Sequence, residues 1–239
     1  MVTVLILAIA RTSDGLCVAG MTTDAHPASG LRWVRPVPER GSLCMENLTT
    51  AGGELIRPFD VVELNLLEPR PMPPHIEDWI VDFERDRPRI VRRLEGERRN
   101  GFLQKYFDAA PRQVLEGQQR SLCLINANSV TGSFRQDPNS AHLDARLSFK
   151  IEGRAYQGAY TKGGLAVTDR QWLALAAGWL PESGGWTEFD MGMLEARLGV
   201  EQVFLVIGLR HSDRRRFEPI ILSVHTIPEY VVPITGETA

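Results

Sequence analysis

Two apolar runs, residues 2–10 and 16–21, meet at an Asp14-Gly15 pair. Both turn residues accept the positive φ that a tight hairpin needs, so the stretch predicts two antiparallel strands. Residues 24–30 form a loop rich in turn formers, and Leu31-Arg32-Trp33-Val34-Arg35-Pro36-Val37 then supplies a third strand. Side chains alternate across a strand, which puts Trp33 and Arg35 on one face and Arg32 and Val34 on the other. An aromatic ring beside a guanidinium can stack a flat ligand and neutralise a phosphate. Equally, Trp33 can belong to the core, as tryptophans mostly do, with the arginines solvating a sheet edge. A chain that begins this way is committed to a small barrel or sandwich.

Residues 59–67 return to strand character, with Val62, Leu64 and Leu66 facing one way and Glu63 and Asn65 the other. Pro69, Pro71, Pro73 and Pro74 end that strand. The texture then changes. Pro88 occupies a first-turn position, and Ile90, Val91 and Leu94 make an apolar helical stripe. Asn100 reads as an N-cap ahead of Phe102, Leu103, Tyr106 and Phe107. Arg85, Arg87, Arg89, Arg92, Arg93, Arg98 and Arg99 crowd this stretch, interleaved with Asp82, Glu84, Asp86, Glu95 and Glu97. The mixture predicts a solvated, ion-paired helical face, with a phosphate-facing stripe as the alternative.

From residue 121 the strands resume. Residues 122–127 are short and apolar, and residues 145–151 alternate: Ala145, Leu147, Phe149 and Ile151 inward, Arg146, Ser148 and Lys150 outward. Glu152-Gly153 makes a turn, and residues 154–161 return with Tyr156 and Tyr160 on one side. Thr168-Asp169-Arg170-Gln171 reads as a capping box before Trp172, Leu173, Leu175 and Ala176. A second helix spans residues 190–198 and stops at Gly199. Residues 203–210 and 219–227 close the set as a hairpin around the loop 211–216. Strand-strand-strand-helix-strand-strand is the order of the OB-fold, a partly open five-stranded barrel. The fold class expected is mainly β with helical inserts (α+β): two OB-like five-stranded barrels joined by a helical linker. The first barrel takes residues 1–74, the linker 75–118 and the second barrel 119–239. In the first half the helix is displaced or degenerate.

Several segments resemble the bacterial dual-OB domain family. LAIARTSDGLCVAGM, LRWVRPV and PFDVVELNL carry the likeness in the first half, and RLSFKIEGRAYQGAYT, LAVTDRQW and VFLVIGL with FEPIILSVHTIP carry it in the second. The resemblance covers nearly the whole chain. It implies two OB barrels joined by a helical segment, a role in prokaryotic defence or conflict systems, and recognition of nucleic acid or a nucleotide. By position, Arg11, Trp33, Arg35 and Pro36 match the first motif, and Thr168 and Asp169 the second. The last hairpin departs from the family pattern, with a shorter arginine-dense loop and Glu218 in place of a more apolar or lysine-bearing approach.

The 27 Lys and Arg against 30 Asp and Glu leave a net charge of −3, which argues against broad coating of a phosphate backbone. A nucleic-acid site has to be a local patch. Candidates on the first barrel are Arg11, Arg32, Trp33 and Arg35; on the second they are Tyr156, Tyr160, Lys162, Arg210, Arg214, Arg215 and Arg216. The arginine triplet can instead be a solvated loop, or a contact for an acidic protein partner. Cys17, Cys44 and Cys123 are too scattered for a zinc knuckle or disulfide framework and fit a reduced, cytoplasmic setting. The opening apolar run lacks a basic flank and a cleavage site, and no segment approaches the roughly 18 apolar residues of a membrane span.

No GxSxG, HExxH or GxxxxGK[ST] motif occurs. His142-Leu143-Asp144 and His211-Ser212-Asp213 could hold a divalent metal if folding brought them together, which would open an enzymatic reading. Cys17, inside a strand, and His225, between apolar neighbours, read as structural. The expectation is a non-catalytic recognition module without cofactor or metal, binding single-stranded nucleic acid or a nucleotide. The alternative is a protein-interaction subunit of a larger complex.

Overall fold

At the Asp14-Gly15 turn, Thr12 N–H donates to the Gly15 carbonyl at 2.9 Å, and β1 (Val2–Arg11) folds back antiparallel on β2 (Leu16–Thr22). A Cβ on Gly15 would lie 2.3 Å from the Leu43 carbonyl oxygen, so the turn needs glycine for that close approach. The computed structural model describes residues 1–24, 32–137, 142–151, 153–156, 163–181, 184–212 and 217–232. It divides into two units: residues 1–102 with 109–123, and residues 103–108 with 124–239.

In the first unit β3 (Trp33–Val37) adds to β2 antiparallel. A single 3₁₀ turn, Glu46–Leu48, stands where an OB barrel carries its helix. There follow β4 (Asp60–Leu64), β5 (Leu66–Pro69), β6 (Asp78–Val81) and β7 (Arg89–Arg93), and the sheet order is β5-β6-β3-β2-β1-β4-β7. Only Asn65 separates β4 from β5. Counted as one bent strand, they pair with β1 at one end and β6 at the other, while β6 runs parallel to β3. That ring is the five-stranded OB order, with β7 as an extra strand on β4. Val4, Ile6, Val18, Leu48, Val62, Leu64 and Val81 fill its interior.

Residues 89–93, expected on a helix, are strand. The β-branched pair Ile90-Val91 suits an extended backbone, and pairing with β4 decides it: Ile90 opposes Val62 and Arg93 opposes Asp60. The helical segment is correspondingly shorter than expected, α1 (Gly96–Tyr106) and α2 (Arg112–Leu115). Asn100 lies inside α1 and is not its cap. No helix among the described residues is long and apolar enough to cross a membrane.

The second unit is built on β8 (Leu122–Gln136), β9 (Leu143–Ile151), β10 (Arg154–Tyr156), β11 (Leu165–Ala166), α3 (Arg170–Trp179), β12 (Gly185–Asp190), α4 (Met191–Leu198), β13 (Gln202–His211) and β14 (Phe217–Ile227). The sheet runs β10-β9-β8-β13-β14, with β11 on β9 and β12 on β8. Val167, just past β11, forms a parallel bridge to Ile221 on β14. The ring β8-β9-β11-β14-β13 is therefore a closed OB barrel, with α3 entering before its last two strands. Phe134, Trp172 and Phe189 pack ring on ring inside it, at centroid separations of 4.7 to 5.7 Å. α4 is capped by Asp190 and ends on Gly199 at φ 68°.

Candidate nucleic-acid interface

The first barrel does not offer the ring that its third strand led one to expect. Cross-strand register places Leu5, Met21 and Trp33 side by side on the outer face of the sheet. Leu5 and Trp33 are buried, Trp33 to 3% exposure. Alternation does put Trp33 and Arg35 on one face, but that face is covered, so the indole is a packing group and not an open platform for a base. Arg35 is spoken for as well. Its Nε and Nη2 donate to Oδ1 and Oδ2 of Asp78 at 2.6 and 2.8 Å, and its side chain is 18% exposed. A forked pair of this kind neutralises the guanidinium locally. Cys17 lies beside it, its thiol pushed up by burial and so held protonated. Arg11 and Arg32 are exposed at strand ends.

The arginine-rich stretch follows the ion-paired expectation, carried on a strand in place of a helix. Arg87 binds Glu46, Arg89 binds Glu63, and Arg93 binds both Asp60 and Glu54. Arg99 is buried, with its guanidinium carbon 4.5 Å from the Phe59 ring centroid. Glu77, next to Asp78, is buried too. It accepts from the Ser121 amide and hydroxyl at 2.9 Å each and from the Leu122 amide at 3.0 Å. Burial pushes its carboxyl upward, and its role is to tie residues 121–122 to the start of β6.

The second barrel carries exposed side chains on its outer face, among the described residues. β12 pairs with β8 so that Trp186 stands opposite Arg135 and Glu188 opposite Ser133. β8 in turn pairs with β9 so that Arg135 stands opposite Asp144 and Ser133 opposite Arg146. Partners in antiparallel strands share a face, with Cβ atoms about 5 Å apart. Trp186, Arg135 and Asp144 thus form one row across three strands, and Glu188, Ser133 and Arg146 the next. Lys150, exposed, continues the face along β9. Trp186 is 62% exposed. Arg146 donates its Nε to both oxygens of Asp144 at 3.0 Å, orienting a carboxylate that stays 38% exposed. This face is a ring edge and basic groups on a rigid sheet, with two carboxylates among them.

The other expected residues fall elsewhere. Tyr156 opposes Phe149 in register, on the interior side of β9, and stacks on it at 5.6 Å with Arg154 above. It is half-buried, so its ring is engaged by the protein. Arg210 is exposed opposite Glu218, with their charged groups 4.0 Å apart. Tyr160, Lys162, Arg214, Arg215 and Arg216 lie outside the described residues. Asp213 does too, and Asp144 is engaged with Arg146; among the described residues no group of His, Cys, Asp and Glu is placed to hold a metal. His225 is buried in β14. Trp186 and Arg135 were not singled out from the sequence, although the signal was there. In Trp186-Thr187-Glu188-Phe189 the tryptophan alternates with Phe189 and shares its face with a glutamate, which marks it as outward-facing.

Thr168 and Asp169 turn out to be barrel closure. Thr168 N–H and Oγ1 both donate to the Ile221 carbonyl, at 2.8 and 3.1 Å. Asp169, and not Thr168, is the N-cap of α3.

A family model for a dual OB-containing domain matches residues 2–174, from β1 into α3. No curated protein and no solved structure matches the chain.

Proposed function

The chain belongs to the dual OB-containing domain family, and we propose that it is a non-catalytic recognition module holding single-stranded nucleic acid, or a nucleotide, on the outer face of β8, β9 and β12. The observation that carries this reading is Trp186, 62% exposed and directly opposite Arg135. A large ring left in water on a rigid strand costs apolar exposure that burial would relieve, so a stacking partner gives it a purpose. A base on such a ring contributes about 1–3 kcal/mol and is accepted in any sequence. Arg146 and Lys150 supply the phosphate contacts, and Arg135 meets the edge of the stacked base. Asp144 and Glu188 dilute the positive charge, which suits a short local tract and not a duplex coat. Nucleic acid or nucleotide is the partner class; the prokaryotic defence setting that the resemblance implies goes with it, and so does the cytoplasmic location that the scattered cysteines fit.

Titration of short single strands, followed by tryptophan fluorescence across a salt series, tests the reading. Two phosphate contacts predict about a sevenfold loss of affinity between about 50 and 200 mM salt, and Arg135→Ala should weaken binding at every salt concentration. Salt-insensitive binding, or none, overturns it. The second reading, a protein-interaction subunit, draws on the net charge of −3. It predicts co-purification with products of neighbouring genes, unaffected by Arg135→Ala.

A further inference from the structure

Resting on that reading, we infer that the row Trp186–Arg135–Asp144 selects guanine among the bases. The three side chains stand on adjacent strands of one sheet face, Trp186 opposite Arg135 and Arg135 opposite Asp144. A base lying on the exposed indole meets a forked donor first and a fixed carboxylate acceptor beyond it, one strand spacing of about 4.8 Å further on. Guanine alone presents two adjacent acceptors, N7 and O6, followed along its edge by two adjacent donors, the N1 and N2 hydrogens. Arginine is the usual partner of the first pair, and a carboxylate suits the second. Adenine offers Asp144 one donor beside an acceptor. Uracil offers one donor between two acceptors. Cytosine offers a single donor group with two acceptors and is the nearest competitor.

Asp144 is equipped for this work. A carboxylate has about four lone-pair sites, and the Arg146 Nε takes up one edge of it at 3.0 Å to each oxygen. The ion pair holds the direction of Asp144, and at 38% exposure the carboxylate remains reachable. Stacking alone would be blind to base identity. The acceptor in line with the arginine is what adds a preference.

The test compares oligouridine strands carrying one guanine, one adenine or one cytosine with plain oligouridine, on the intact chain, read by fluorescence. Trp33 and Trp172 are buried and Trp79 and Trp179 half-buried, so the quenching that Trp186→Ala removes is the part that reports on Trp186. The guanine strand should bind about tenfold more tightly than the adenine strand or plain oligouridine. Asp144→Asn should remove that margin while oligouridine binds no more weakly than before, since a negative charge leaves the face. Arg146→Ala, which keeps the carboxylate but frees it from the ion pair that orients it, should narrow the margin without removing it. Equal affinities for all four strands, a cytosine preference, or a margin that survives Asp144→Asn overturns base selection while leaving strand binding intact. Failure of every strand to bind, with Trp186→Ala silent, overturns the recognition reading and this inference with it.

Discussion

Ser223 donates its hydroxyl to Oδ2 of Asp169 at 2.8 Å, inside the second barrel. The same oxygen accepts the Val224 amide at 2.7 Å, while Oδ1 takes the Gln171 and Trp172 amides at 2.8 and 3.3 Å. One carboxylate therefore caps α3 and clamps it to β14, two residues after Val167 makes its parallel bridge to Ile221. The chain has to turn from the third barrel strand into a helix at this point, and its first helical amides would otherwise be buried without acceptors. Closure of the ring and the start of the helix are fixed by a single side chain.

Asp169→Ala should cost about 3 kcal/mol of unfolding free energy. The estimate combines loss of an N-cap, about 1 kcal/mol, with buried donors left unsatisfied at about 1–3 kcal/mol. Urea unfolding followed by far-UV circular dichroism measures it. A loss below about 1 kcal/mol would mean that water or a neighbouring carbonyl replaces the carboxylate, and that the clamp is redundant.

Burial pushes the Asp169 carboxyl above the usual carboxylate range, against the opposing pull of its four donors. The folded chain then keeps this proton at pH values where the unfolded chain has released it. Stability from the group is fully present below the ordinary value near 4 and is lost as pH rises through the raised folded value. Glu77, raised by burial in the same way, has the same sign. Asp169→Asn does not titrate, so the wild-type stability minus that of the variant should fall as pH rises from about 4 towards neutrality. Denaturant unfolding at matched pH values gives the slope. A difference that grows with pH would show that the donors outweigh burial and hold the carboxyl low.

What could be read from the sequence was what local chemistry decides. Asp14-Gly15 announced the first hairpin, because only certain residues tolerate that turn. Asp190 and Gly199 bracketed α4, because caps are written at helix ends. The alternation Ala145, Leu147, Phe149 gave the inward face of β9, and all three are buried. The misreadings share a different cause. Ile90 and Val91 fit a helix stripe and a strand equally well until β4 is beside them. β11 is two residues long, and its role depends on Ile221, more than fifty positions away. Trp33 was open to either reading, since alternation gives the face and only packing tells whether that face is covered. Trp186 is placed by the same alternation, since it shares a face with Glu188 and opposes the side of Phe189.

Gly132→Ala should destabilise the second barrel by about 1–3 kcal/mol through overpacking. Gly132 opposes Leu147 on β9 and Phe189 on β12. An added Cβ would sit 2.4 Å from the Arg146 carbonyl oxygen, 2.5 Å from the Phe189 ring and 2.7 Å from a Leu147 methyl. The backbone oxygen cannot give way without parting β8 from β9. Thermal melts with a near-UV aromatic signal would register both the loss and the displaced Phe189 ring. An unchanged melt would show that the strands separate there at no cost.

The two tryptophans that alternation alone cannot tell apart should separate by experiment. Trp33 is 3% exposed and Trp186 is 62% exposed, so the first substitution leaves a cavity and the second removes a surface ring. Trp33→Ala should cost about 3–5 kcal/mol. Trp186→Ala should move stability by no more than about 0.5 kcal/mol and yet weaken single-strand binding by about tenfold, the loss of one stacked base. Unfolding curves and strand titrations on both variants, at one salt concentration, give the four numbers. If Trp186→Ala unfolds the barrel and leaves binding of the remaining folded fraction intact, the exposed indole is a structural group. The ligand would then have to be sought around Arg11 and Arg32, at the strand ends of the first barrel, where exposed guanidiniums flank a closed face.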